Sequence, residues 1–173
     1  MQDQGEHTAQ PLTGIRVLDL SGDMGVYCGK LLADVGADVI KVETPGGDYM
    51  RQTGPFIRDV SDLEISIHWL HYNTNKRSIT LDIESDAGRD LFRRLTANAD
   101  VLLESFQPGY LDSLGMGYEH FGKANPGLVY ASLTPFGQTG PYRDYLASDL
   151  VGFAMGGYMY VTGWPHTPPN KLW

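Results

Sequence analysis

Residues 14–43 leave this chain little choice of architecture. GIRVLDLS (14–21) is an apolar run closed by a polar residue, the pattern of a strand buried on both faces. GVYCGKLLADVGA (25–37) spaces Val26, Leu31, Leu32 and Val35 as a helix does and stops at Gly36. DVIKVE (38–43) is a second strand. A strand, a helix and a strand joined by short loops cross over right-handed into a parallel sheet.

The same alternation continues. RSITLDI (77–83) reads as a third strand, and SDAGRDLFRRLTANA (85–99) as a helix capped by Ser85 with Leu91, Phe92 and Leu95 on one face. DVLLESF (100–106) is a fourth strand. LDSLGMGYEHFGKANP (111–126) reads as one or two short helices broken by glycines, and GLVYASLTPF (127–136) as a fifth strand. SDLVGFAMGGYMYVTG (148–163) is apolar and helical at its start, before a proline-rich end. Residues 1–11 read as a disordered tail. The expectation is an α/β fold with a doubly wound parallel sheet.

Composition narrows the partners. A net charge of -8 disfavours nucleic acid and anionic membrane, yet leaves room for an anionic small molecule held in a local basic pocket. Cys28 is the only cysteine, which excludes an intrachain disulfide and makes a thiolate zinc site implausible; it reads as core on an apolar helix face. The N-terminal residues lack the apolar core of a secretory signal, and no run reaches the ~18 apolar residues of a membrane span, so a cytoplasmic setting is expected.

Four groups carry candidate chemistry. Gly22, Gly25 and Gly29 follow the first strand and Glu43 ends the second, as a dinucleotide site would place phosphate-approach glycines and a ribose acid. The spacing is G-x-x-G-x-x-x-G rather than G-x-G-x-x-G, so a tight turn that simply needs glycine is the stronger reading. Lys76 and Arg77 stand together at the mouth of the third strand, as phosphate ligands or as a solvated pair. His68 and His71 lack a carboxylate or cysteine at metal spacing, and no metal site is expected. Asp149 precedes an apolar helix and reads as a cap before it reads as a nucleophile, while Ser132 lacks the G-x-S-x-G elbow of a serine hydrolase.

The ordered set PLTGIRVLDLS, LLADVGADVIKVETPGGDYMR, NKRSITLDIESDAGRDLF, VLLESFQPGYLDSLGMGYEHF, GLVYASLTPFGQTGPY and SDLVGFAMGGYMYVTG resembles the family III CoA-transferases, from Pro11 to about Gly163. That family includes formyl-CoA and carnitine CoA-transferases and the α-methylacyl-CoA racemases. The resemblance implies a Rossmann-like, CoA-binding large domain, here residues 12–173 as its N-terminal part, without the family's smaller second domain. It implies chains paired as interlocked homodimers, or as heteromers with a related subunit.

By the same resemblance, residues matching Asp23, Met24, Leu81, Asp82, Ile83, Glu84, Ser105, Phe106 and Gln107 line the coenzyme A site. Lys76 and Arg77 would add positive field there or hold the strand entrance in place. Thr44 and Ser113 stand where relatives commonly carry basic residues. The implied reaction moves CoA from an acyl-CoA to a free carboxylic acid through an aspartyl-acyl anhydride. Its Asp is expected past Trp173, so no catalytic residue is expected within the chain, with Asp149 as the fallback. Ser148-Asp149 replaces the His-Asp pair of the racemase branch, which favours transfer. The alternatives are a CoA-binding subunit without a nucleophile, then an acyl-CoA racemase, and an NAD-dependent oxidoreductase.

Overall fold

The computed structural model describes residues 10–164 and 166–168 and divides into two compact units, the chain passing from the first to the second between Leu133 and Thr134. The first unit is the sheet domain. Five strands, β1 (Arg16–Leu20), β2 (Asp38–Glu43), β3 (Arg77–Thr80), β4 (Val101–Glu104) and β5 (Val129–Ser132), lie in the order β3-β2-β1-β4-β5. Every pairing is parallel. The order reverses between β1 and β4, so the loops leaving those strands splay apart and open a crevice.

The third and fifth strands are shorter than the sequence predicts. β3 stops at Thr80, one further bond running from the Leu81 N–H to the Glu43 carbonyl at 2.8 Å, after which Asp82 turns the chain. Residues 1–9 of the expected tail, and Pro165 and residues 169–173 of the proline-rich end, lie outside the described residues.

Helices cover the sheet as expected, with two corrections. In α1 (Val26–Asp34) the buried face is Val26, Gly29 and Ala33, whereas Leu31 and Val35 are exposed. Small residues face inward because the helix lies close over a polar cluster, described below. Cys28 is accordingly exposed rather than core. In α3 (Asp86–Thr96) Ser85 caps the helix, its Oγ accepting from the Gly88 N–H at 3.0 Å. Phe92 is wholly buried and meets Phe121 edge to face at 5.8 Å, but Leu91 is exposed.

α4 (Tyr110–Ser113) and α5 (Tyr118–Ala124) are the two short helices, separated by a turn in which Gly115 has φ +67°. The sequence assigns no element to residues 49–76. There the chain forms 3₁₀ turns at Tyr49–Gln52 and Ile57–Asp59 and a helix, α2 (Ile67–Tyr72), whose cap Ser66 accepts from the Trp69 N–H.

The second unit holds α6 (Asp149–Met155) and α7 (Tyr158–Val161), with Phe153 stacked on Tyr158 at 5.7 Å. The α6 cap is Ser148, which accepts from the Val151 N–H; Asp149 is the first helical residue rather than the cap. Its carboxylate there sits at the positive end of the helix dipole. Among the described residues no helix is long and apolar enough to cross a membrane.

The largest apolar core cluster joins β1, β2 and β4 to α3 and α5 through Leu18, Ile40, Leu102, Phe92 and Phe121. Phe92→Ala removes the centre of that cluster and is expected to lower unfolding free energy by about 3–5 kcal/mol in a denaturant titration.

Candidate functional site

The loops at the C-terminal ends of β1, β2 and β4 enclose a cavity of roughly 480 Å³. Its walls are Ser21 and Gly22 after β1, Thr44, Gly46, Gly47, Asp48 and Tyr49 after β2, and Ser105 and Phe106 after β4. The β1 and β4 loops are tied across the crevice, the Gly22 N–H donating to Ser105 Oγ at 2.7 Å. Phe106 packs at a tilt against Tyr110 in turn, centroids 4.7 Å apart, and the Tyr110 hydroxyl donates to Glu84 at 2.9 Å.

Beneath this cavity lies a group of buried charges. Asp19 is fully buried and pairs with Lys76, whose Nζ is 2.8 Å from Oδ2. Lys41, in the middle of β2, donates to the Ser21 carbonyl and pairs with Asp48 at 3.1 Å. Beside them Glu43 accepts from Arg51 through both oxygens, Nε to Oε2 at 2.6 Å and Nη2 to Oε1 at 2.9 Å. The Asp48 N–H and the Ser78 hydroxyl complete its contacts. The Arg51 guanidinium also lies 3.9 Å over the Trp69 ring.

These contacts decide two sequence-level readings. A carboxylate offers about four acceptor positions, and all four of Glu43 are taken by protein donors, so it has none for a ribose hydroxyl. The glycines are needed for packing: a Cβ on Gly25 would lie 2.5 Å from Ser21 Cβ, and one on Gly29 would lie 2.3 Å from Asp19 Oδ2. Both observations remove the support for a dinucleotide site.

A second cavity of roughly 400 Å³ adjoins the first. Asp23, Tyr27, Met50, His68, His71 and Tyr72 line it, so Gly22–Asp23 and Tyr49–Met50 form a wall between the two. His68 Nε2 is 3.9 Å from Asp23 Oδ1, and both imidazoles pack edge-on against Tyr72. Burial, reinforced by the facing Asp23 carboxylate, raises the pKa of the Tyr49 phenol. Among the described residues no three His, Cys, Asp or Glu side chains are placed to hold a metal.

The sequence-derived site residues are thus dispersed around two cavities. Ser105 and Phe106 line the first and Asp23 the second; Met24 is exposed on the loop between them. Leu81, Asp82, Ile83 and Glu84 form the β3–α3 turn, with Leu81 and Ile83 packed into the core and Glu84 joined to Phe106 only through Tyr110. Gln107 is exposed, and its carbonyl caps the turn into α4. Lys76 is locked into the buried cluster. Arg77 begins β3 and pairs with Asp38 at the N-terminal edge of the sheet, a strand length of ~10 Å from the cavity side. Lys41, Asp48 and Tyr49 were missed as site residues; the signal was a lysine inside the apolar strand DVIKVE.

Glu43 makes the site's integrity depend on pH. Burial pushes its pKa up, but the Arg51, Ser78 and Asp48 donors outweigh that and hold it at about 2, against 4.5 ordinarily. A carboxyl whose folded pKa is depressed contributes stability that is complete above its unfolded pKa and is lost as pH falls through the folded value. About 2–3 kcal/mol of unfolding free energy is expected to disappear between roughly pH 4.5 and pH 2. Urea unfolding across that window, compared with Glu43→Gln, checks this: the variant should lack that part of the pH dependence.

Comparison with known proteins bears on the family and the fold. The sequence matches CoA-transferase family III over residues 12–172. It is 45% identical over 154 residues to the succinyl-CoA:(R)-benzylsuccinate CoA-transferase subunit BbsE of Thauera aromatica, covering 89% of this chain and 38% of that one. It is 44% identical to the succinyl-CoA–D-citramalate CoA-transferase of Chloroflexus aurantiacus, covering 94% of this chain and 40% of that one. The crystal structure of a CAIB/BAIF family protein from Brucella suis superposes with a TM-score of 0.86 at 44% identity, covering 95% of this chain and 44% of that one. The chain therefore spans about two fifths of the length of the curated relatives it matches. On the match across nearly its whole length, the chain belongs to CoA-transferase family III.

Proposed function

We propose that this chain is the N-terminal part of the large domain of an enzyme that moves CoA from an acyl-CoA to a free carboxylic acid. The observation that carries the reading is the cavity at the strand-order reversal, where open parallel sheets place their ligands, in a chain of this family. The nucleotide end of CoA occupies that cavity, its adenine against Phe106. The glycine-rich turn Gly46–Gly47 and the loop after β1 offer close main-chain approach to its phosphates. The buried cations below are neutralised by Asp19, Asp48 and Glu43, so recognition relies on main-chain groups and shape more than on free lysine or arginine.

The acyl end extends over the Gly22–Asp23 wall into the second cavity, whose aromatic and imidazole lining suits an apolar or aromatic acid group. In the reaction a carboxylate attacks the thioester carbon, the C–S bond breaks, and CoA leaves as the thiolate. The thiolate then attacks the enzyme's carbonyl carbon of the anhydride, which releases the first acid and leaves CoA on the enzyme as a thioester. The incoming carboxylate attacks that thioester to form a second anhydride, and the freed thiolate attacks its other carbonyl, giving the new acyl-CoA and restoring the enzyme carboxylate. Asp149 is not assigned that role, because it occupies the first turn of a capped helix. The nucleophile is supplied by a segment beyond this chain. The assembly is an interlocked pair of like or related subunits in a cytoplasmic setting.

A second reading is a CoA-binding subunit without its own nucleophile. Two relatives named as subunits favour it, the BbsE subunit and a succinyl-CoA–L-malate CoA-transferase beta subunit of Chloroflexus aurantiacus.

Isothermal titration with CoA tests the site. Phe106→Ala is expected to weaken binding about ten-fold, the cost of losing one base–aromatic stack, whereas unchanged affinity would move the adenine elsewhere. Asp149→Ala is expected to leave CoA affinity unaltered. Hydroxylamine trapping during incubation with acyl-CoA is expected to give no hydroxamate on Asp149 by mass spectrometry; an adduct there would relocate the nucleophile into this chain.

A further inference from the structure

The side chain of Lys76 is 1% exposed, and its three ammonium protons are all engaged. They meet Asp19 Oδ2 at 2.8 Å, the Val26 carbonyl at 2.8 Å and Asn73 Oδ1 at 3.1 Å. An ammonium has three donors, so none is left for a ligand. Asp19 uses its other oxygen on the loop after β1, accepting from the Ser21 N–H at 2.9 Å and from the Ser21 hydroxyl. Lys41 holds the Ser21 carbonyl from the far side.

The loop Ser21–Val26 is therefore fastened at both ends by one buried cluster: Asp19 and Lys41 grip its first residue and Lys76 its last. Two lysines and the two aspartates Asp19 and Asp48 sum to no net charge, so the cluster supplies fixed geometry rather than field. Gly29 roofs it, since any Cβ there would come within 2.3 Å of Asp19 Oδ2 and 3.0 Å of Lys76 Nζ.

We infer that Lys76 is a positioning residue that, with Asp19 and Lys41, sets the shape of the Ser21–Val26 loop and thereby the wall shared by the two cavities. Its consequence for CoA rests on the function proposed above; its consequence for the loop does not. Taking an ammonium out of water is costly unless each proton is matched, and here each match lies on the loop, on the strand before it, or on the residue that ends α2. Burial lowers the Lys76 pKa and Asp19 works against that shift, so the charged form depends on the pair remaining assembled.

Lys76→Met, a side chain of similar length without charge, tests this by amide hydrogen exchange and CoA titration on the full chain. Amides of residues 22–24 are expected to exchange about ten-fold faster while those of β2 and β4 change much less, and CoA affinity to fall about ten-fold. Phe92→Ala serves as the comparison, because it destabilises the core without touching the loop and should leave the loop-to-sheet exchange ratio as in the wild type. Should Lys76→Met fail to fold, Asn73→Ala removes one of the three acceptors and is expected to give the same pattern at smaller amplitude. Loop amides that speed up no more than those of the sheet would overturn the inference, as would unaltered CoA affinity in a loosened loop. A wild-type chain that binds no CoA would sink the proposed function, while the exchange pattern would still decide the role of Lys76.

Discussion

The pairing of Asp19 with Lys76, deep at the C-terminal end of β1, is the constraint around which the rest of the site is arranged. Neither charge can be buried alone, since the effective cost of desolvating one ion in a protein is several kcal/mol. Once both are committed, the loop after β1 must bring Ser21 and Val26 to them, and α1 must pass over them with glycine at position 29. The small inward face of α1 and the exposure of Leu31 and Cys28 follow from that close approach.

A second ion pair, Glu43 with Arg51, does the same for the loop after β2. It folds residues 44–52 back over the strand end, and Asp48 serves both clusters, its N–H donating to Glu43 and its carboxylate pairing with the Lys41 ammonium. The cavity is thus bounded by loops that are each pinned by buried charge, on a sheet whose strand order already separates them. This also explains how an acidic chain can gather Lys41, Arg51 and Lys76 around the crevice without making it basic: each is paired with an internal carboxylate.

Much of this was legible in the sequence. The β-α-β opening, the five parallel strands, the Ser85 cap and the paired short helices α4 and α5 follow from apolar periodicity and glycine placement, which are local signals. The family was legible too, because an ordered series of segments is more specific than any one motif. What was misplaced shares a cause. Lys76 and Arg77 are neighbours in sequence with no local feature to tell them apart, yet strand geometry sends one side chain under α1 and the other to solvent. The α2 helix was missed because its apolar residues Ile67, Trp69 and Leu70 are too few to show a period, and because Trp69 is stabilised by Arg51 from a distant loop.

The sequence by itself determined the class of fold, the direction of the strands and the kinship of the chain, since those depend on patterns repeated over many residues. Only the tertiary structure decided which charged groups are available to a ligand. Availability depends on whether a donor or acceptor has already been satisfied by a residue far away in the chain. Lys76 finds Asp19 across 57 positions and Ser78 finds Glu43 across 35, and nothing in either neighbourhood announces the partner. A buried ion is costly until its counter-ion arrives, and which counter-ion arrives is settled by how the strands and helices pack.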